Sequence, residues 1–442
     1  MNLSKKVIVK FHANTEIPYE DGIEKYIIQK IENNDVQSDP LFKNIKFRKL
    51  FRSLPTNQIK ELIIKGQGQD PSDSSINLLS YFIIEYPGNV DLERLVNSLS
   101  SWDIVESAYV DIPGEDPSIV NPSDDPLYTY QGYLKAAPEG IDAHYAWRIH
   151  GGDGTGQSVI DLERGWTLNH EDLIHLKAQI LHGQIRNKSR HHGTGVLGQI
   201  AACDNQIGCI GIVPNLKSVN VVSYYGFDRD EYPISEADAI LAAIPHLEPG
   251  NVLILEVQAP IDDKILPIEI KPPVFDAIRL AIQHGIVVIE AAGNGYLNLD
   301  QYEIHGKKIF NRSSPDFRDS GAIMVGAATA GVPHKRKDFS NHGSRIDCYA
   351  WGEKVVTCSS NPQGNTTEYN YNFNGTSSAT PIIAGAALAI QGIVQKSCGY
   401  RLNPARLRNL FGNPQTGTSS ENPAVDCIGV MPNLRAIIDS LI

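Results

Sequence analysis

Basic charge is scarce in this chain of 442 residues: 39 Lys and Arg stand against 51 Asp and Glu, a formal net charge of −12. The one basic run, "HKRK" at 334–337, is too short to form a face for a phosphate backbone, so nucleic acid is excluded as a partner. Cysteine is nearly as scarce, with six in all (203, 209, 348, 358, 398 and 427). Their spacing fits no metal site and is too sparse for a disulfide framework, so free thiols are expected. The opening MNLSKKVIVKFHANTE lacks the apolar core of a secretion signal. No later run reads as long and apolar enough to span a bilayer. A cytoplasmic setting with no membrane partner is therefore expected.

What is present divides into two zones. The first alternates VIVKFH (7–12), IEKYIIQKIE (23–32), KFRKLF (46–51), SYFIIEY (80–86), DLERLVNSL (91–99) and ESAYVDI (106–112). Strands and helices at that rhythm over residues 1–112 predict a small α+β domain. Residues 113–127, rich in Pro, Asp and Ser, read as a linker. From 128 to 442 short Val/Ile-rich runs alternate with helical patterns. The runs are SVIDL (158–162), VNVV (219–222), VLILEV (252–257), IVVIEA (286–291) and AIMVGA (322–327). That alternation predicts an α/β domain with a mainly parallel sheet covered on both faces. Its site belongs beyond the carboxyl ends of the strands.

Polar outliers stand there. Asp161 closes SVIDL, His192 opens HGTG ahead of a helix, Asn294 sits in a Gly-Asn-Gly turn, and Ser377 lies in NGTSSATP before the small-residue run PIIAGAALAI. Each taken alone is explained by ordinary structure: a turn or helix cap, or a core histidine. Together they are the set that nucleophilic acyl transfer needs. Serine attacks only when an imidazole takes its proton, and the imidazole needs a carboxylate to fix its tautomer. An amide and free helix N–H groups can hold the oxyanion. The GGDGTG turn (151–156) precedes its strand, so a phosphate-loop reading fails on context.

In VIDLERGW, HGTGVLGQIAA, AAGNG and NGTSSATP, the chain resembles the subtilisin-like serine proteases, whose triad runs Asp, His, Ser. Four motifs in one order carry the resemblance over about residues 128 to 442. It implies a three-layer domain in which Asp161 orients His192, His192 is base then acid, Ser377 is the nucleophile and Asn294 binds the oxyanion. Glu163 departs from the usual pattern two places after Asp161 and is expected to point into solvent rather than serve as the acid.

The cleft departs further. The resemblance puts Glu256, Val257 and Gln258 on the strand that pairs with substrate, and Glu290, Ala291 and Gly293 beside the specificity pocket. Glu256, Glu290 and the loop acids Asp262 and Asp263 lead to the expectation of a basic residue at the cleavage site, since a desolvated cation needs a carboxylate. The same comparison implies no cofactor for the chemistry. It does imply a structural calcium, with Asp172 and Asn205 as ligands and the carbonyls of Cys203, Ile207 and Cys209 completing an oxygen shell.

Such proteases are commonly made with an N-terminal propeptide of ferredoxin-like fold, which implies that residues 1–112 inhibit the enzyme until a cut between Ile112 and Tyr128. Two other classes stay open: a catalytically silent relative that binds peptides, and a hydrolase of small esters.

Overall fold

The computed structural model describes residues 6–31, 45–69, 77–86, 90–111, 120–225 and 235–441. They form two compact units, divided between residues 115 and 116.

The first unit is a four-stranded antiparallel sheet. Across it run Lys46–Lys49, Tyr81–Glu85, Lys6–Phe11 and Val105–Asp111. Helices Glu24–Lys30, Thr56–Gln69 and Leu92–Ser100 accompany it. With the first strand in the centre between the third and fourth, this is the ferredoxin-like order, and Thr56–Gln69 is a further helix between the second and third strands. Val7, Val9, Phe11, Phe47, Phe82 and Ile84 alternate into a core with Ile27, Leu95 and Leu99. Leu92–Ser100 starts cleanly because the Asp91 carboxylate accepts from the N–H groups of Glu93 and Arg94.

In the second unit nine strands form one sheet. In spatial order they are Gly417–Ser419, Val430–Pro432, Cys348–Trp351, Ile323–Ala328, Val287–Ala291, Val252–Leu255, Ser158–Glu163, Ser218–Ser223 and Gln179–His182. All neighbours pair in parallel except the two at the Gly417 edge. The five central strands expected from Val/Ile content are all present, and most are buried on both faces. The chain passes from Ser158–Glu163 to Ser218–Ser223 on one side, then returns to Val252–Leu255 on the other. Strand order therefore reverses between Ser158–Glu163 and Val252–Leu255, and the crevice beyond their carboxyl ends is where an open sheet binds its ligand.

Two expectations change. Helix Thr376–Cys398, 23 residues long, is apolar enough to cross a membrane, but its most apolar window is 94% buried inside the domain. It is a core helix of Gly and Ala packed against the sheet. The linker is also shorter than expected: residues 112–119 lie outside the described residues, whereas 120–127 belong to the second unit. There the Leu127 N–H donates to the Gly208 carbonyl at 2.7 Å, and the Asn121 N–H to Asp204 Oδ2 at 2.8 Å.

Candidate active site

Two strand ends and two helix starts converge on a cleft of about 350 Å³, lined among others by Glu163, His192, Glu256, Ala291 and Ser377. His192 stands in the first turn of helix Arg190–Ala201. Gly193 beside it admits the Trp166 ring, since a Cβ there would lie 2.3 Å from Trp166 Cδ1. Phe373 meets the His192 ring edge-on, with centroids 5.4 Å apart.

The imidazole finds its acid in Glu163: Nδ1 bonds the Glu163 carboxylate, which is buried at the end of its strand. This overturns the assignment of Asp161 and the expectation that Glu163 faces solvent. Asp161 lies deeper in the same strand, fully buried, and its Oδ2 accepts from Trp166 Nε1 at 2.6 Å. Its other oxygen has no partner. Burial, reinforced by the Glu163 charge, pushes Asp161 well above the ordinary carboxylate range, and its bonded oxygen is spent on Trp166 rather than on His192. For His192, burial pulls the pKa down, but the charge and hydrogen bond of Glu163 outweigh it and the net shift is upward. His191 is an exposed neighbour, its ring 6.3 Å away.

Ser377 occupies the first turn of helix Thr376–Cys398, after Gly375 at φ 101°. A Cβ on Gly375 would crowd Asn294 Nδ2 at 3.3 Å, so glycine there serves both the turn and the amide. Pro381 lacks the N–H that would bond the Ser377 carbonyl, and Ser378 Oγ ties back to the Trp351 and Gly375 carbonyls. Asn294 Oδ1 accepts from Thr376 N–H at 2.9 Å and Thr376 Oγ1 at 3.1 Å, which leaves its NH₂ as the end free to donate.

The sequence model of the Subtilase family matches residues 169–422, more than half of the chain. The chain belongs to the subtilase family. It is a serine endopeptidase of that family, and the matched span begins just beyond the departing acid, Glu163. Subtilisin BL of Lederbergia lenta is 29% identical over 296 residues, 65% of this chain and 94% of that protein. An intracellular serine protease of Paenibacillus polymyxa is 28% identical over 275 residues, 59% of this chain and 73% of that one. A solved protease structure from Pseudoalteromonas arctica shares the fold, with TM-score 0.53 and 21% identity over 73% of this chain and all of that one.

The expected specificity residues of this subtilase separate. Glu256, Val257, Gln258 and Ala291 line the cleft together with Pro260 and Ile265. Gln258 Oε1 accepts the Asn294 N–H at 3.0 Å. Gly293, at φ 90°, is buried under Asn341. Glu290 does not face the cleft; it is fully buried 3.3 Å from Arg345, in a cluster with Glu269 and Asp347. Asp262 and Asp263 are exposed at the tip of the hairpin formed by Gln258–Ile261 and Lys264–Pro267, both in left-handed conformation. The expectation of a basic residue at the cleavage site therefore loses three of its four carboxylates.

At the expected calcium loop, Asp172 is buried and bonded by Asn205 Nδ2 at 3.2 Å and the Cys209 N–H at 3.1 Å. The sequence reading missed Asp125. It is buried, accepts from the Asn205 N–H at 3.4 Å, and keeps Oδ2 without a partner. Asp124 and Asp204 offer oxygens beside it. Burial, then the charges of Asp204 and Asp172, push its pKa up to about 7. An orphaned carboxylate oxygen among hard oxygen donors fits a calcium ion, which Asp124, Asp125 and Asp204 would hold; the expected ligands Asp172 and Asn205 instead have their oxygens engaged by N–H groups. All six cysteines are free; Cys209 and Cys358 sulfurs lie 3.6 Å apart.

Proposed function

We propose that the protein cleaves peptide bonds within protein substrates through a Glu163–His192–Ser377 triad, with the acyl group carried on Ser377. The observation that carries this reading is the bond between Glu163 and His192 Nδ1 in the cleft that also holds Ser377. With Nδ1–H given to Glu163, Nε2 is left bare to take the Ser377 proton, and the same carboxylate stabilises the imidazolium that forms. His192 then returns that proton to the leaving amine and activates a water for deacylation. The Asn294 amide and the Ser377 backbone N–H hold the oxyanion, where one such donor is typically worth about 10²–10³ in rate.

Gln258, Pro260, Ile265 and Ala291 give the cleft wall no accessible charge, which favours an uncharged residue at the cleavage site. In the same proposal the unit of residues 6–111 serves as an intramolecular inhibitor, a reading supported by its ferredoxin-like strand order.

Labelling by a fluorophosphonate, followed by a panel of fluorogenic peptides, tests the reading. Wild type should label, Ser377→Ala should not, and Leu or Phe substrates should outrun Arg or Lys. Failure to label would favour a silent peptide binder, and turnover of esters alone a small-ester hydrolase. A preference for Arg would restore the basic specificity.

A further inference from the structure

The cleft holds one more acid than acyl transfer through Glu163 and His192 requires. Glu256 directly follows strand Val252–Leu255, and its N–H bonds the Leu162 carbonyl at 3.1 Å. The pairing of Leu162 with Leu255 continues to place Glu256 beside Glu163, with Asp161 two residues back on the same face of the sheet. Glu256 is 6% exposed, both carboxyl oxygens are buried, and neither completes a hydrogen bond. The Ser377 hydroxyl lies next to it and favours its charged form, whereas burial, Asp161 and Glu163 all oppose that form and prevail. Of the other ionisable groups in the cleft, His192 is engaged by Glu163, and Arg164 is exposed and stacked 4.7 Å over the Tyr224 ring. His191 lines the rim.

A desolvated carboxyl group beside two further acids resists ionisation, and the neighbouring Ser377 hydroxyl only partly offsets this. A neutral acid has one O–H to donate and a carbonyl oxygen to accept, and a serine hydroxyl complements either. We propose that Glu256 is a positioning residue of the catalytic centre: as a neutral acid it is the resting partner of the Ser377 hydroxyl, and competes with His192 for it until substrate fills the cleft. This rests on Ser377 being the nucleophile. Loss of the Glu256 proton converts that partner into an anion that grips the Ser377 O–H more strongly. It also sets negative charge near the place where the oxyanion develops. Reaction at Ser377 therefore falls on the alkaline side, and glutamine, which cannot ionise, removes the fall.

Full-length wild type and Glu256→Gln are compared for fluorophosphonate labelling rate, and for kcat and KM on a peptide, across about pH 5 to 10. From neutral pH to the alkaline end the labelling rate of wild type should drop about tenfold and that of the variant should not. Alkaline profiles that superimpose would overturn the proposal. A merely structural role changes stability and leaves the shape of the profile alone. Infrared spectra read the acid without activity: wild type minus Glu256→Gln should show a protonated carboxyl band at neutral pH, displaced in Ser377→Ala. A carboxylate signature, or a band indifferent to Ser377, would equally defeat it. A wild type that labels but cuts no peptide removes the peptidase reading, while the labelling profiles still decide the role of Glu256.

Discussion

A glutamate at position 163 reaches His192 with one methylene more than an aspartate has, and burial in the strand end supplies the rigidity that the extra rotatable bond would lose. The consequence is testable against Asp161. Glu163→Gln should lower kcat by about 10³–10⁴, since the tautomer and the imidazolium both lose their carboxylate. Asp161→Asn should cost less than about tenfold, because asparagine keeps the oxygen that accepts from Trp166 and Asp161 makes no bond to His192. The pH profile separates the two further. His192 must be neutral to act as base, and Glu163 raises its pKa above the usual 6.5, so the acid limb of kcat/KM should lie above that value in wild type. With Glu163→Gln only burial remains, and the limb should move below it; Asp161→Asn should leave it in place. Both acids lie on one face of one strand, so alternation could not distinguish them. The strand runs one residue past the expected SVIDL, and its last residue, Glu163, is the one that meets the histidine.

The segment Asn121–Asp125 and the loop Cys203–Cys209 form an element pair whose stability depends on charge. Asp125 titrates near 7 in the fold, against about 3.9 for an unperturbed aspartate. Between those values the folded state holds a proton that the unfolded state has released, so stability falls as pH rises through that window. A calcium ion bound to the anion would reverse this cost. Added calcium should therefore raise Tm more at pH about 8 than at about 6, with a gain of about 2.7 kcal/mol at a hundred times Kd. Asp125→Asn should remove most of the gain. A Tm indifferent to calcium and to chelator at both pH values would show that the hydrogen bonds to Asp172 close the loop without a metal. Asn205 and Asp172 stood out in their motifs, and the fold bonds them to each other. Asp125 was not legible, because a polar, proline-rich stretch reads as a linker until its backbone is seen bonded to a loop some 80 residues away.

For the whole molecule the division into two units bears on where the proposed precursor would be opened. Backbone docked through Asn121 and Leu127 resists a protease. A self-processing wild type should therefore be cut between Ile112 and Val120, narrower than the range to Tyr128 that composition suggested. Intact mass measured after incubation checks this. Ser377→Ala should stay whole; a cut of the same size in that variant would assign processing to another protease.

The sequence by itself determined the parallel sheet, the ferredoxin-like rhythm of the first unit, and the positions of His192, Asn294 and Ser377. Hydrophobic periodicity and turn chemistry are local, and each of those residues sits at a strand end or helix start that its own neighbours create. Tertiary structure alone decided what each carboxyl group does. Glu163 meets His192 29 residues on, Glu290 is paired with Arg345 55 residues on, and Glu256 is buried beside Ser377. A carboxyl's charge depends on burial and on the groups that face it across the fold, and neither is written in the residues next to it.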